Sequence, residues 1–404
     1  MSVYLDYNAT TPVDTEVQET ICSVIKNVWG NPSSSYDVGK TAKSIVENAR
    51  GKVAQMINSL SSEIIFTSGG TECNNMVIST AIQYYHIKAQ NFTNGLKDIK
   101  PHIITTNIEH DSVKLPLEKL SEEGKIDVTF VPVSKITGAV DIDDIINSVR
   151  PNTCLITVML ANNETGIIQP ISILRSKLKA IKDNKFQGEH SLNSILLHTD
   201  AAQAIGKIEV DVQDLDVDYL TIVGHKFYGP RIGALYFKSG VPLFPIFYGG
   251  GQERNYRPGT ENTCMIAGLG KAAEMVSFNL KEYNKHMTAM SHHLKKCLET
   301  TFPKHCIFHI KDNNNKLPNT VSVALDYDKI TGSLLLSEAK NVCASTGAAC
   351  HSGGKPSSIL LASGIPCELA SKTLRLSVGR ETTEREIEAA VAYLDAALKN
   401  LGVK

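Results

Sequence analysis

The chain has 404 residues, is 42% hydrophobic and 21% charged, and carries a formal net charge of −1. That is an ordinary globular balance with room for one large and one smaller domain, and with no basic run it argues against nucleic acid or an anionic membrane as partner. The longest apolar run, 154–161, is too short to span a bilayer, and nine cysteines without paired spacing suit a reducing compartment, the cytosol.

The opening "YLDYNATTP", from Tyr4, reads as folded-domain sequence rather than a signal or transit peptide. Ala42, Ile45, Val46, Ala49, Val53, Met56 and Ile57 then keep the three-and-four spacing of an amphipathic helix. Seven short apolar runs read as strands: 64–67, 103–106, 128–133, 155–160, 195–198, 219–223 and 234–237. Strands alternating with helices predict an α/β fold with a mostly parallel sheet covered on both faces. Ligands of such sheets bind beyond the strand C-termini. Polar stretches at 86–100, 182–194 and 311–316 predict surface loops. From about 266 the pattern changes to long helices and the strand-like "NTVSVAL". A last helix is opened by Thr383 and Glu386 in capping-box spacing, with the apolar stripe Ile387, Ala390, Val391, Leu394, Leu398 and Leu401. The predicted division is a large domain, 15–265, and a smaller α/β domain built from 1–14 and 266–404.

The strand ends carry residues a core would not choose. "FTSGGTECNN" follows the first run. Gly69 and Gly70 permit a close turn, and Thr71 opens a helix whose N-terminal N–H groups suit a phosphate. A glycine turn with a threonine cap is also what structure alone asks for. Beyond later runs stand His110 in "NIEHDS", Asn162 and Asn163 in "LANNETG", Asp200 and Gln203 in "LHTDAAQAIG", and His225 and Lys226 in "VGHK". Taken singly, each is a cap or turn residue, and a lone loop lysine is ordinarily a solvated one. Taken together they supply a phosphate cradle, an imidazole, amides, a carboxylate and a lysine at one sheet edge. Pyridoxal 5′-phosphate uses all of these. It needs a lysine for its Schiff base, a carboxylate at the pyridine nitrogen, donors for the phosphate and an amide at the phenolate oxygen. Lys226 is the only lysine the sequence places at this pocket.

The motifs "DYNATTP", "GNPSSSY", "TSGGTE", "EHDS", "LANNETG", "HTDAAQ", "GHKFYGP", "RPGTEN", "STGAACHS" and "LRLSVGR" run almost end to end. Through them the chain resembles the class V aminotransferase-like pyridoxal-phosphate enzymes, in their cysteine desulfurase and selenocysteine lyase branch. The resemblance implies the type I fold of these transferases: a large domain with a mostly parallel seven-stranded sheet, plus a smaller α/β domain. It implies a homodimer. It gives Lys226 the Schiff base and the proton shuttle, Asp200 the pyridine nitrogen, Gln203 the phenolate oxygen, and His110 the ring face. It gives Gly70, Thr71 and His225 the phosphate, with Thr260 added from the second subunit. Asn162 would lie beside ring and substrate, and Arg375 would take the substrate carboxylate through its fork. Val223 stands where many desulfurases have a phosphate-binding serine, so one hydroxyl contact is missing.

"TIVGHKFYGPRIGALY" and "GGGQERNYRPGTENT" favour the lyase side of the branch, because desulfurases more often have a serine two residues before the histidine and "RSGT" later. The implied reaction is L-selenocysteine to L-alanine with release of reduced selenium, to a possible acceptor protein. The alternative is cysteine desulfuration, with persulfide sulfur passed from Cys350 to an acceptor. A non-catalytic scaffold on the same fold sits poorly with intact Lys226, Asp200, His110 and Arg375. Cys350 lies among small residues and glycines, a segment that moves easily. The resemblance makes it the cysteine that assists chalcogen removal; a small buried thiol is the alternative. A metal held by Cys343, Cys350 and His351 matches no usual zinc spacing. Asp111 either caps the following helix or places a negative charge that disfavours a substrate thiolate.

Overall fold

The computed structural model describes residues 2–89, 99–185, 195–309, 315–347 and 356–404. A short strand, β1 (Val3–Tyr4), leads into helices α1 (Thr15–Asn27) and α2 (Asp37–Met56). Strands and helices then alternate: β2 (Ile64–Thr67), α3 (Gly70–Ala89), β3 (His102–Thr106), α4 (Asp111–Glu122), β4 (Asp127–Val131), α5 (Ile142–Asn147), β5 (Thr153–Thr157), α6 (Leu174–Lys185), β6 (Leu196–Asp200), α7 (Val212–Leu215), β7 (Tyr219–Val223) and β8 (Gly233–Phe237). The 39-residue α8 (Thr263–Thr301) follows. Last come β9 (Cys306–Phe308), β10 (Thr320–Leu325), α9 (Gly332–Glu338), β11 (Val342–Cys343), α10 (Ser358–Ala362), α11 (Cys367–Ser371), β12 (Thr373–Ser377) and α12 (Glu384–Asn400).

The main sheet has seven strands in the order β2-β8-β7-β6-β5-β3-β4. All pairs are parallel except those made by β8, which runs antiparallel to both β2 and β7. Neighbouring residues of each strand point to opposite faces, and both are apolar. Ile64, Phe66, Ile104, Ile156, Leu220 and Ile222 pack under α1, α2 and α8. Ile65, Ile103, Leu155, Leu196, Tyr219 and Leu235 pack under α3 and α4. Helices α2 and α8 meet closely because residue 270 has no side chain. A Cβ on Gly270 would lie 2.6 Å from the Cα of Ala49.

The predicted runs 64–67 and 219–223 coincide with β2 and β7. The run 155–160 is displaced. β5 is Thr153–Thr157, and beyond it the bonding to β6 continues: Val158 N donates to the His198 carbonyl (3.1 Å) and Leu160 N to the Asp200 carbonyl (2.9 Å), with 158–160 buried. β4 likewise ends at Val131, two residues short of the predicted run, and β6 extends to Asp200, beyond it. Two predicted loops begin as helix: α3 continues through His86 to Ala89, and α6 through Lys185. Polar composition alone does not separate a helix end from a loop. Residues 90–98, 186–194 and 311–314 of the predicted loops lie outside the described residues. Lys316 pairs with Ile167 in an isolated bridge.

The second core is small. The antiparallel sheet β12-β10-β9 packs with the C-terminal half of α8 and with α12. α12 starts at the expected capping box of Thr383 and Glu386. α8 serves both cores: Ile266 to Val276 lie in the first, Met287 to Leu298 in the second. The N-terminal segment belongs with the second core through Val3 and Leu5. In β12, Leu374 and Leu376 enter that core, so the two-residue period turns Arg375 and Ser377 to the opposite face.

Between the two cores sits Asn8, 1% exposed. Its amide nitrogen donates to the Asn163 carbonyl (3.2 Å) and to Thr320 Oγ1 (2.8 Å). Its Oδ1 accepts from Lys207 Nζ (3.1 Å) and Asn319 Nδ2 (3.0 Å). Its backbone N–H donates to Ser377 Oγ (3.0 Å), and its carbonyl accepts from Gln203 Nε2 (3.0 Å) and Lys226 Nζ (2.8 Å). Truncation to alanine removes the four side-chain bonds that tie the two cores together, leaving Lys207 with Gln203 Oε1 and Asn319 with the Val378 carbonyl. Asn8→Ala therefore lowers stability by roughly 2–4 kcal/mol in urea unfolding. A loss under about 0.5 kcal/mol, the level of an ordinary surface change, would show that the join does not depend on this side chain.

Candidate active site

The C-terminal ends of β2, β3, β6 and β7, with the segment after β5, converge on one cavity of ≈ 240 Å³. Its lining includes Asn8, Gly70, Thr71, His110, Asn163, Asp200, Gln203, Val223, His225, Lys226 and Arg375. A second cleft of ≈ 250 Å³, between the end of α2, residues 205–211 and α8, has no lysine, histidine or arginine in its lining. It carries none of the expected chemistry.

Each side chain is placed by local structure. α3 begins at Gly70, so its first N–H groups face the cavity end that Gly70 and Thr71 line. A Cβ on residue 70 would sit 2.7 Å from Val223 Cγ2, so the valine requires the glycine. Asp200 ends β6 and is 8% exposed. Ala202 N donates to its Oδ1 (3.0 Å) and Asn74 Nδ2 to its Oδ2 (2.9 Å). β7 ends at Val223, and a single 3₁₀ turn, Gly224–Lys226, delivers His225 and Lys226. Lys226 Nζ donates to the carbonyls of Asn8 and Ala9, both at 2.8 Å. His225 Nδ1 lies 3.1 Å from Thr10 Oγ1. Burial, then the charges of Lys226 and Arg231, lowers this histidine to about 4, so it meets a ligand as a neutral ring.

Arg375 reaches the cavity from the opposite side, on β12. Its Nη2 donates to Asp6 Oδ1 (2.7 Å) and its Nη1 to the Asn163 carbonyl (3.1 Å). Its Nε is buried with no partner among the described residues. The two bonds leave other N–H donors of the guanidinium for an anion. His110 lies immediately before α4 and caps it: its Nδ1 accepts from Ser112 N (3.1 Å).

Several expectations change. Asn163, not Asn162, lines the cavity. The Asn162 side chain is turned into its own loop, where its Oδ1 accepts from the backbone N–H of Glu164 and Thr165 and from Thr165 Oγ1. The α4 cap is His110, so Asp111 is not the capping residue. It stands half-buried in the first turn, where a carboxylate suits the helix N-terminus. Thr260 is exposed and absent from the lining of this chain's own cavity. Cys350 and His351 lie outside the described residues.

Lys226 is not the only lysine near the pocket. Lys207 is fully buried behind Gln203, with Nζ 2.8 Å from Gln203 Oε1 and 3.1 Å from Asn8 Oδ1. Burial, with the nearby Lys226 and Arg375 charges, holds it well below the usual lysine range. The signal was a lone lysine inside the apolar "AIGKIEV", four residues after Gln203 on the same turn. Glu109 was also missed. Buried beside His110, its Oε1 accepts from Thr106 Oγ1 (2.7 Å) and Met159 N (3.0 Å), while its Oε2 has no partner among the described residues. Burial pushes it up to about 8, against the pull of those two bonds and with a further push from Asp200.

A family model described as Aminotransferase class-V matches residues 3–390. The chain is 49% identical to the selenocysteine lyase of Rattus norvegicus, over 99% of this chain and 95% of that protein. It is 39% identical to the cysteine desulfurase IscS of Methanosarcina thermophila, over 99% of this chain and 93% of that one. A solved NifS-like protein superposes with a TM-score of 0.85 at 33% identity, covering 99% of this chain and 100% of that chain.

Glu109 ties the site to pH. It keeps its proton to about pH 8 in the folded chain, against an ordinary value of 4.5. Between these values the native state holds a proton the unfolded state has lost, so stability falls as pH rises through the window and the loss is complete above it. Glu109→Gln keeps the acceptor and removes the titration. In urea melts across that window the wild type loses stability relative to the variant as pH rises. Parallel curves would place Glu109 in the ordinary carboxylate range.

Proposed function

The chain belongs to the class-V aminotransferase family, with the type I fold, and from that membership we propose that it is a pyridoxal 5′-phosphate-dependent selenocysteine lyase. It converts L-selenocysteine to L-alanine and releases reduced selenium. The observation that carries the reading is the convergence of Lys226, Asp200 and Arg375 on one cavity. An amine, a carboxylate and a guanidinium with an unmatched donor answer an aldehyde, a pyridine nitrogen and an amino-acid carboxylate.

The residues present fit the cofactor. Gly70, Thr71 and neutral His225 make an anion-accepting end, where Val223 closes one wall without a hydroxyl. Asp200 would hold the ring nitrogen, Gln203 the phenolate oxygen and His110 the ring face. When bound, pyridoxal phosphate supplies an electron sink for the substrate Cα. Lys226 Nζ would hold the cofactor through its aldehyde and then move the Cα proton. Its two carbonyl partners show that the ammonium is anchored from the cavity floor. Arg375, braced by Asp6 and the Asn163 carbonyl, would orient the substrate carboxylate, with Asn163 beside it. Cys350 would assist removal of the selenium. Thr260 would complete the phosphate site of a second copy in a homodimer. A selenium acceptor protein and a cytosolic location complete the reading.

Cysteine desulfuration is the second reading, favoured by the 39% identity to a cysteine desulfurase. Purified protein assayed on both amino acids decides between them: the lyase reading requires the higher kcat/KM on L-selenocysteine. Borohydride reduction of the loaded enzyme followed by peptide mapping is expected to label Lys226, and Lys226→Ala to lose both label and turnover. A label on Lys207, its nearest buried neighbour, would overturn the assignment.

Asp111 is absent from the cavity lining and would act on the substrate only through its charge, from the position next to His110. A carboxylate beside the ring-facing histidine opposes a neighbouring anion. A thiol, with an ordinary value of about 8.5, stays protonated in that field. A selenol is more acidic and ionises despite it. Asp111→Lys should therefore raise the kcat/KM ratio of cysteine to selenocysteine by tenfold or more, equivalent to about 1.4 kcal/mol. An unchanged ratio in a folded, cofactor-loaded variant would leave Asp111 as a first-turn helix residue only.

A further inference from the structure

A buried line of polar side chains runs beneath the cavity and ends on Asp200. His198, two residues before Asp200 on β6, lies with Nδ1 2.7 Å from Thr157 Oγ1 and Nε2 3.0 Å from Thr221 Oγ1. Thr221 Oγ1 donates to Asn74 Oδ1 (2.7 Å). Asn74 Nδ2 donates to Asp200 Oδ2 (2.9 Å) and to Ser112 Oγ (2.8 Å). Ser112 Oγ lies 2.8 Å from His110 Nδ1. All but His110 are buried. Apolar side chains of similar volume would pack these positions with no polar group to satisfy. The line nonetheless ends on two groups that line the cavity.

Its polarity follows from one end. A carboxylate only accepts, so Asn74 must turn its NH₂ to Asp200. Asn74 Oδ1 then faces Thr221, and the Thr221 hydroxyl donates to it. Having one proton, Thr221 accepts from His198, whose ring hydrogen is therefore on Nε2. Thr157 donates to the bare Nδ1. Burial lowers His198 to about 4, in keeping with a ring that carries one hydrogen. The second amide hydrogen of Asn74 goes to Ser112, whose hydroxyl and N–H both face His110 Nδ1. The ring hydrogen of His110 is left on Nε2.

We propose that Asn74, ordered from behind by Thr221 and His198, is a positioning residue that fixes the Asp200 carboxylate for the cofactor's ring nitrogen. With Ala202 N on one oxygen and Asn74 on the other, the carboxylate cannot rotate without leaving a buried donor unmatched. The inference rests on the reading of Asp200 as the partner of pyridoxal phosphate. It adds three residues that do not touch the cofactor.

The test uses full-length protein labelled with ¹⁵N in its histidine rings, with and without pyridoxal phosphate. Wild-type His198, assigned by its absence in His198→Gln, is expected as the Nε2–H tautomer even without cofactor. In Asn74→Ala the Thr221 hydroxyl loses its acceptor and turns to His198, so the Nδ1–H tautomer becomes populated. The Kd for pyridoxal phosphate rises about tenfold, as for one lost hydrogen bond to a charged group. Thr221→Val, near in shape, serves if Asn74→Ala does not fold. It removes the donor to Asn74 Oδ1, so the amide is no longer held from behind, and the same weakening of Kd follows. The proposal is overturned if wild-type His198 is the Nδ1–H tautomer, or if a folded variant keeps both tautomer and Kd. Failure of the cofactor reading is separate: the wild type itself would then bind no pyridoxal phosphate.

Discussion

A buried amide that must be satisfied organises this molecule. Asn8 lies where the N-terminal segment, the seven-stranded sheet and the second core meet, and all its polar atoms are matched by groups from the other two. Its carbonyl takes Gln203 and Lys226, which come from different strand ends. Its side chain takes Lys207 from one core and Asn319 and Thr320 from the other. An unmatched buried polar group costs about 1–3 kcal/mol, so neither core can shift against the other without several such losses at once. The cavity is the space left between surfaces that Asn8 holds apart and together. Lys226 and Arg375 face each other across it because of that join.

Beside the Arg375–Asp6 pair, three ionisable groups around this join are buried with neutral partners. Lys207 has amide oxygens as partners, Glu109 a hydroxyl and a backbone N–H, and His198 two threonines. Burial pushes each toward its neutral form: Lys207 and His198 downward, Glu109 upward. The field inside the site is then set mainly by Asp200, Arg375, Asp6 and Lys226. Neutral neighbours supply direction by hydrogen bonding without adding charge. That arrangement suits the proposed site, which would accept a phosphate, a ring and an amino acid in turn.

The strand ends were legible in sequence because apolar runs that stop abruptly at polar residues are what a covered parallel sheet must produce. Lys226, Asp200, Gln203, His225 and Gly70 all meet in the cavity by that rule. What was not legible shares one physical feature: the side chain's direction was decided by a local turn. Asn162 and Asn163 are adjacent and identical, and the 162–165 turn consumes the first and exposes the second. Asp111 and His110 competed for the cap, and the imidazole took it. Asn74 sat unnoticed in "TSGGTECNN" because a buried asparagine one turn into a helix looks like any polar helix residue. The strand β12 went unread, although the leucines of "LRLSV" already alternate with Arg375 and Ser377.

Val223 shows how one departure propagates. Where a serine would offer a hydroxyl, the valine offers a methyl, and that methyl occupies the volume a Cβ at residue 70 would need. Glycine at 70 is therefore imposed by packing before any ligand is considered. The same glycine puts no side chain over the first turn of α3, whose backbone N–H groups have no intrahelical acceptor. Loss of one side-chain donor and exposure of main-chain donors are thus two consequences of a single branched side chain. Backbone donors are fixed by the helix and cannot rotate away, as a serine hydroxyl can. The proposed anion end of this cavity would in that sense be built from the fold itself, with His225 as the neutral side chain beside it.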